Sequence, residues 1–188
     1  MASTIRWTST DLKTLPDDGK RYEIIDGELF VSKQPSWHHQ HTCVRLVVVI
    51  NEWDPKGERG RVNLAPGLIF ADDDDVAPDL VWISNERLRW ALGSDEKLHA
   101  APELVVEVLS PGPANARRDR EVKLNLYSRR GVEEYWIIDW QLRHIDVYRR
   151  VEGALSLVGK LGELDRLETA LLPGFSCPIN TLFESLPR

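Results

Sequence analysis

A single carboxylate, that of Glu107, interrupts an otherwise apolar run over residues 104–109. A short run that is apolar at nearly every position is typical of a strand buried on both faces. A carboxylate in such a strand loses its hydration, which costs several kcal/mol unless a partner replaces the water. The chain must therefore fold so that a basic side chain, a set of hydrogen-bond donors or a metal cation reaches the middle of this strand.

A second acid, Asp79, stands at the head of another apolar run, residues 80–83. If the two runs form adjacent strands, their carboxylates repel each other or share a proton unless a cation lies between them. Oxygen ligands of this kind suit Mg²⁺ or Mn²⁺ rather than Zn²⁺. The competing interpretation is structural: Glu107 pairs with an arginine from the helix that follows it.

That following helix, predicted over residues 116–130, carries a candidate third member of the site. Arg120, Lys123 and Tyr127 share one face of this helix, because Lys123 follows Arg120 by three residues and Tyr127 follows it by seven. A helix that crosses the end of the Glu107 strand could point Lys123 at the two acids. An ammonium there can orient or deprotonate a water and stabilise a pentacovalent phosphate. The alternative for Lys123 is an ordinary solvated lysine.

The rest of the chain alternates strands with helices. Residues 21–32 predict a β-hairpin around Asp26-Gly27, because both positions of this dipeptide tolerate a positive φ. Ser36 caps a predicted helix over residues 38–53, and Gly131 ends the helix over residues 116–130. Further elements are predicted as strands at residues 61–64, 68–71, 80–83, 104–109, 135–138 and 145–148, a short helix from Ser84 or Asn85 to residue 92, one or two weaker strands in the tail, and a short helix near residues 181–186. This order predicts an α/β fold with a mixed central sheet flanked by helices.

The length of 188 residues predicts one domain, with a core over residues 22–150 and a C-terminal β extension over residues 151–188. The net charge of −6 argues against a general affinity for nucleic acid, but it does not exclude a nuclease, whose metal site is itself acidic. The run of four aspartates at residues 72–75 is interpreted as a solvated loop.

Two further features bear on compartment and cofactors. Cys43 and Cys177 are too few for a disulfide framework, so a reducing, cytoplasmic compartment is expected. The longest apolar run, residues 46–50, is far too short to cross a bilayer, so no membrane association is expected. The sequence contains no glycine-rich phosphate loop and no serine nucleophile elbow, so neither a nucleotide cofactor nor a serine hydrolase is expected.

A zinc site is the alternative metal hypothesis. Four ligand types occur close together at His38, His39, His41 and Cys43. No second Cys or His pair lies at ligand spacing elsewhere, and one helix cannot direct all four side chains at a single ion. The sequence therefore favours the acidic site over a zinc site.

Several segments, in this order, resemble the Uma-two family of restriction-endonuclease-like proteins, which belong to the nuclease superfamily with a PD…(D/E)-x-K signature. The resemblance extends from about Tyr22 to Phe183. The matching segments are residues 22–29, 77–80, 102–111, 117–127, 131–139, 172–175 and 182–183. The resemblance implies a restriction-endonuclease-like core, with the hairpin at its N-terminal side and a β extension at its C-terminal side.

The resemblance also implies roles for individual residues. Asp79 and Glu107 match the two metal-binding acids of the family. The superfamily lysine normally lies two residues after the second acid, where this chain has Leu109. The resemblance implies that in this family the lysine lies on the next helix, at the position of Lys123. Three further positions match supporting residues of the family: Glu28, His39 and Asp119.

The function expected from these residues is Mg²⁺- or Mn²⁺-dependent hydrolysis of DNA phosphodiester bonds. Asp79, Glu107 and the carbonyl of Val108 would hold the metal, and Lys123 would position the attacking water. Phosphate contacts are expected from the basic residues of the helix, namely Arg117, Arg118 and Arg120. A homodimer is expected because double-strand cleavage needs two active sites. The alternative is a nuclease-fold binding or scaffold protein that cleaves nothing.

Overall fold

The computed structural model describes residues 5–184. The strands are β1 (Arg21–Ile25), β2 (Glu28–Ser32), β3 (Gly60–Leu64), β4 (Leu68–Ala71), β5 (Asp74–Val76), β6 (Leu80–Ser84), β7 (Leu104–Val108), β8 (Glu134–Asp139), β9 (His144–Val151), β10 (Ala154–Gly162), β11 (Arg166–Glu168) and β12 (Ser176–Pro178). The helices are α1 (Ser9–Leu12), α2 (Trp37–Trp53), α3 (Asn85–Ala91), α4 (Pro113–Arg117), a π-helical turn (Arg118–Lys123), α5 (Leu124–Arg130) and a 3₁₀ helix (Ile179–Phe183).

The largest sheet has six strands in the order β10-β9-β8-β7-β6-β3. Its central strands β7 and β8 are parallel, and its other neighbours are antiparallel. A parallel pair needs a crossover connection, and the helical segment from α4 to α5 provides it. Helices flank both faces of this mixed sheet, which confirms the predicted α/β class.

The two faces of the large sheet bury separate cores, because successive side chains of a strand point to opposite faces. On one face, Leu46 and Ile50 of α2 belong to the same cluster as Trp136 of β8. On the other face, Leu126 of α5 packs in a cluster with Ile137 of β8. This double burial explains why β7 is apolar at every position but Glu107, why β8 is apolar between its first and last residues, and why a carboxylate in β7 needs a partner.

A four-stranded antiparallel sheet, in the order β2-β1-β5-β4, contains the predicted hairpin. The hairpin turn has φ values of 53° at Asp26 and 74° at Gly27, as the Asp-Gly dipeptide predicted. In β1, residues Glu23, Ile24 and Ile25 are all buried. The hairpin is therefore packed into the molecule through β1 and not an exposed appendage.

The prediction of a solvated loop over residues 72–75 was wrong for its second half. Asp74 and Asp75 belong to β5 and are buried. Asp74 accepts a hydrogen bond of 2.8 Å from the backbone N–H of Asp26 and forms salt bridges with Arg129 and Arg130. These two arginines at the end of α5 offset the loss of hydration, a contact between distant segments that a run of four aspartates does not reveal.

The long predicted helices are confirmed with small changes. The Ser36 hydroxyl accepts a hydrogen bond from the backbone N–H of His39, as expected for the residue that caps α2. The helix predicted over residues 116–130 begins earlier, at Pro113, and contains a π-helical turn in its middle. It ends at Gly131, whose φ of 91° is the left-handed stop that the sequence predicted. Among residues 5–184, no helix combines the length and apolarity that spanning a membrane requires.

The C-terminal part is more extensive than predicted. β10 is nine residues long and pairs antiparallel with β9, although most of its side chains are exposed. An edge strand with this exposure has no regular apolar alternation, so the sequence underestimated it. The 3₁₀ helix ends the described region with Leu182 and Phe183 buried. Residues 185 and 186 of the helix predicted at 181–186 lie outside the described residues.

Candidate active site

Asp79 and Glu107 lie side by side on neighbouring strands of the large sheet. Leu80 of β6 is opposite Val106 of β7 in an antiparallel pair, so the next residues along the register are Asp79 and Glu107. Both are buried, with 7% and 1% of their surface exposed. The fold thus brings together the two acids that the sequence singled out.

Asp79 accepts hydrogen bonds on both of its carboxylate oxygens. The Val108 N–H donates to Oδ2 over 2.9 Å, and His39 Nε2 lies 3.0 Å from the same oxygen. Arg21 Nη1 donates to Oδ1 over 3.0 Å. Burial alone would raise the pKa of Asp79, but the His39 hydrogen bond and the charges of Lys123 and Arg21 hold it well below its ordinary value. Asp79 is therefore a carboxylate at neutral pH.

Glu107 is held by two side chains from the helical crossover. Lys123 Nζ donates to Oε1 over 2.8 Å, and the Tyr127 hydroxyl donates to the same oxygen over 2.9 Å. Burial, together with the nearby carboxylates of Asp79 and Asp119, raises the pKa of Glu107 to about 8, because these effects outweigh the lowering of the pKa by the Lys123 ammonium. The structural interpretation that an arginine pairs with Glu107 was wrong, because Lys123 and Tyr127 are its partners.

Lys123 is fully buried and contacts two carboxylates at once. Its Nζ lies 2.8 Å from Oε1 of Glu107 and 2.8 Å from Oε1 of Glu23. Burial alone would lower the pKa of Lys123, but Glu107, Glu23 and Asp119 raise it above its ordinary value. Lys123 is therefore an ammonium at neutral pH and not the solvated lysine of the alternative interpretation. A charged lysine can donate hydrogen bonds to a water or a phosphate oxygen, but it cannot act as the base.

Glu23 is a site residue that the sequence reasoning missed. It lies on β1 with 1% of its surface exposed, and its Oε1 also accepts a hydrogen bond of 3.0 Å from the Ala77 N–H. Burial would raise the pKa of Glu23, but the Lys123 ammonium lowers it. The signal was present in the sequence, because Glu23 interrupts an apolar strand in the same way as Glu107.

The π-helical turn places both Asp119 and Lys123 in the interior. Asp119 is 1% exposed and accepts a hydrogen bond of 2.8 Å from the Arg118 guanidinium. Burial raises the pKa of Asp119 despite the charges of Lys123 and Arg118. π-Helical turns inside α-helices occur frequently at functional sites. Asp119 therefore lies behind the lysine as part of the acidic surroundings that keep it charged.

The four residues of the zinc hypothesis do not converge on one point. The His38 ring stacks on Trp140 with 4.7 Å between centroids, and His41 Nε2 lies 3.0 Å from the carbonyl oxygen of Glu184. His39 instead reaches Asp79, with its Nδ1 3.8 Å from the Cys43 sulfur. Within residues 5–184, no three His, Cys, Asp or Glu side chains are grouped as metal ligands. The geometry rules out a zinc cage in this helix.

Among the described residues, neither Glu28 nor the helix arginines form a hydrogen bond or salt bridge with Asp79 or Glu107. Glu28 is exposed and lines a surface cleft of about 350 Å³ together with Arg117 and Arg118. Arg117 forms an exposed salt bridge with Glu121, and Arg120 forms one with the buried Asp146. The hairpin glutamate beside Lys123 is Glu23 rather than Glu28.

The acids fit a magnesium-type ion better than a cage-bound metal. Mg²⁺ usually binds one or two carboxylates and keeps several waters, which is what Asp79 and Glu107 on adjacent strands can provide. Lys123 and Tyr127 both donate to Oε1 of Glu107, so within the described part of the chain Oε2 is the oxygen left for a ligand. A Mg²⁺ or Mn²⁺ ion therefore suits the chemistry of these residues.

The mixed sheet with helices on both faces has the restriction-endonuclease-like fold of nucleases. The chain belongs to the Uma2 family, whose model, described as "Putative restriction endonuclease", matches residues 10–180. A crystal structure of a "putative nuclease belonging to DUF820" from Anabaena variabilis ATCC 29413 is similar, with a TM-score of 0.75, 19% identity and coverage of 94% of this chain and 97% of that chain. The type IIG restriction endonuclease BpuSI aligns with a TM-score of 0.39, 16% identity and coverage of 81% of this chain and 17% of that chain. None of the curated proteins matches the sequence.

Proposed function

We propose that this protein is a Mg²⁺- or Mn²⁺-dependent endonuclease that hydrolyses DNA phosphodiester bonds. The observation that carries the proposal is the buried group formed by Asp79, Glu107 and Lys123, in which two acids from adjacent strands meet an ammonium from the crossover helix. Buried charges of both signs at one point are costly to fold, and this cost is typical of functional sites.

In the proposed site, Asp79, Glu107 and the carbonyl of Val108 would hold the divalent cation. When bound, such an ion neutralises charge on the phosphate and lowers the pKa of a bound water. β7 ends at Val108, and the backbone N–H of Val108 donates a hydrogen bond to Oδ2 of Asp79. The backbone of the sheet therefore orients the Asp79 carboxylate. Tyr127 fixes Oε1 of Glu107 in the same way.

Lys123 has the role of a hydrogen-bond donor in this proposal. Because its ammonium stays charged among Glu107, Glu23 and Asp119, it can orient the attacking water or stabilise the charge that develops on the phosphate. It would not remove a proton from the water. The buried position excludes bulk solvent, which strengthens its interaction with a phosphate oxygen.

DNA is the substrate in this proposal, and a homodimer is its form. Arg117 and Arg118 line the cleft next to the helix that carries Lys123, where they could contact phosphates that flank the scissile bond. Each of the three helix arginines would have to leave an acid to do so: Arg117 pairs with Glu121, Arg118 with Asp119 and Arg120 with Asp146. Two copies related by a twofold axis would present two active sites to the two DNA strands. Light scattering of the purified protein with and without a DNA duplex measures this state.

A nuclease-fold binding or scaffold protein is the second candidate function. It is favoured by the fact that Asp79 and Lys123 have protein partners already, so the polar group is satisfied without a cation. In that case the acids and the lysine would act only to stabilise the fold.

Incubation with plasmid and single-stranded DNA in Mg²⁺ or Mn²⁺ separates the two functions. We expect cleavage by the wild type and a loss of at least about a hundredfold in Asp79→Asn, Glu107→Gln and Lys123→Met, the usual scale for removing a transition-state contact. Glu58→Gln is the matched control, because Glu58 is an exposed acid outside the proposed site, and this variant should cleave normally. Cleavage that survives in all three site variants would refute the mechanism, and no cleavage in any protein would favour the scaffold.

A further inference from the structure

The guanidinium of Arg21 occupies the outer side of Asp79. Its Nη1 donates to Oδ1 of Asp79 and to the carbonyl oxygen of Ala77, both over 3.0 Å. The side chain is 29% exposed, whereas that of Asp79 is 7% exposed. Arg21 therefore reaches the acid from the surface of the molecule, while the other donors to Asp79 lie in the interior.

The two oxygens of Asp79 differ in how firmly their donors are held. Oδ2 faces the backbone N–H of Val108 within the sheet and the ring of His39, which is 4% exposed. Oδ1 faces Arg21, a long side chain at the first residue of β1 that can turn outwards. Oδ1 is consequently the oxygen that an incoming cation can take without disturbing the sheet.

We infer that Arg21 is the resident counter-cation of Asp79, which a divalent metal ion must displace from Oδ1, and that the displaced guanidinium then contacts a phosphate of the DNA. The inference rests on the proposed function, because it concerns the cation and substrate of the same site. Arg21 and the cation compete for one oxygen, so the arginine lowers the apparent affinity for the metal.

The second half of the inference follows from the chemistry of the guanidinium. Both contacts of Arg21 use Nη1, so within the described residues Nη2 and Nε remain for another acceptor. A planar fork of donors suits two oxygens of one phosphate. An arginine that is tied to an acid in the absence of metal and released in its presence would couple DNA binding to metal binding.

Metal affinity is measurable without any cleavage. Chelator-treated protein is titrated with Mn²⁺ alone in a calorimeter, with Arg21→Gln, Arg21→Lys, Asp79→Asn and the control Arg143→Gln. Like Arg21, Arg143 is a partly exposed arginine paired with an acid, Glu163. Arg143→Gln therefore removes the same charge as Arg21→Gln without touching Asp79. We expect Mn²⁺ binding to be roughly three- to tenfold tighter in Arg21→Gln, the scale of a partly exposed ion pair. Arg21→Lys should lie between, Arg143→Gln should equal the wild type, and Asp79→Asn should lose binding.

DNA affinity should change in the opposite direction. With Ca²⁺ in place of Mg²⁺, we expect Arg21→Gln to bind a labelled duplex several-fold more weakly than the wild type, and in chelator to bind it about equally. An equal loss in both conditions would overturn the phosphate contact. Circular dichroism spectra check that both Arg21 variants are folded. If Arg21→Gln is unfolded, the comparison is made with Arg21→Lys instead.

The outcomes separate this inference from the proposed function. If the wild type binds Mn²⁺ through Asp79 but Arg21→Gln binds it no more tightly, the competition is wrong and the metal site stands. If neither the wild type nor Arg21→Gln binds Mn²⁺, both ideas are wrong. If Arg21→Gln binds Mn²⁺ and the wild type does not, the arginine excludes the cation altogether, which supports the competition between Arg21 and the metal for Asp79.

Discussion

Lys123 and Glu107 form a salt bridge of 2.8 Å in which both side chains are 1% exposed. Glu107 lies one residue before the end of β7, within the parallel pair of strands, and Lys123 lies on the crossover that the parallel pair requires. The pairing therefore depends on the topology of the sheet, because the crossover helix must return over the strand that precedes it. The same contact serves the folding of the core and the chemistry of the proposed site.

Lys123→Met should destabilise the protein strongly. The variant leaves the Glu23 carboxylate buried without its cation and removes a hydrogen-bond donor from Glu107, and removing one partner of a buried ion pair typically costs about 3–5 kcal/mol. Lys56→Met is the matched control, since Lys56 is 81% exposed and lies 3.9 Å from the similarly exposed Glu58, a pair worth less than about 1 kcal/mol. Urea unfolding of both variants measures the difference. Equal losses would show that burial of the pair is not what matters.

The pH dependence of stability should report on Glu107. Its pKa is raised to about 8 in the folded protein from 4.5, so the folded state binds more protons than the unfolded state between these values. Without divalent cations, its contribution to the free energy of unfolding is therefore fully present below about pH 4.5 and is lost as the pH rises through about 8. Urea unfolding from pH 5 to pH 9 should show this decline, and Glu107→Gln should remove it. A wild-type slope that persists in Glu107→Gln would assign the titration to another group.

The sequence predicted those parts of the site that follow from one strand and one helix. Glu107 was singled out because a charge in an apolar strand needs a partner, and Lys123 because it shares a helix face with Arg120 and Tyr127 and matches the lysine position of the family. Arg21 could not be predicted in this way, since its contact with Asp79 joins residues 58 positions apart. The pairing of β1 with β5 that brings it there contains a single pair of residues in register. Such short, non-local pairing leaves no periodic signal.

Tyr127→Phe tests whether the hydroxyl orients Glu107. The variant removes one hydrogen bond of 2.9 Å to Oε1 and keeps the aromatic packing, so we expect a loss of about 0.5–1.5 kcal/mol in stability. Tyr135→Phe is the control, because its hydroxyl donates to the carbonyl oxygen of Asp119 and not to an acid side chain. If the hydroxyl positions Glu107, Tyr127→Phe should lower Mn²⁺ affinity and Tyr135→Phe should not. Calorimetric titration of the two variants decides this, and equal affinities would leave Tyr127 with a packing role only.

Two aspartates of the same acidic run should respond very differently to substitution. Asp74 is buried in β5 and pairs with Arg129 and Arg130, whereas Asp72 is exposed. Asp74→Asn removes a buried carboxylate that two partly exposed arginines and the Asp26 N–H contact, so we expect a loss of about 1–2 kcal/mol. Asp72→Asn should change stability by less than about 0.5 kcal/mol, as for most surface substitutions.

Thermal and urea unfolding of the Asp74 and Asp72 variants provide the measurement. High salt should weaken part of the effect of Asp74→Asn, because the two arginines are partly exposed and their attraction to Asp74 is partly screened, whereas the Asp26 hydrogen bond is not. If the two variants behave alike, the acidic run is a solvated loop after all, and β5 does not pair with β1 as described. That pairing holds the hairpin, with Arg21 and Glu23, against the site. We therefore expect Asp74→Asn, but not Asp72→Asn, to weaken Mn²⁺ binding as well.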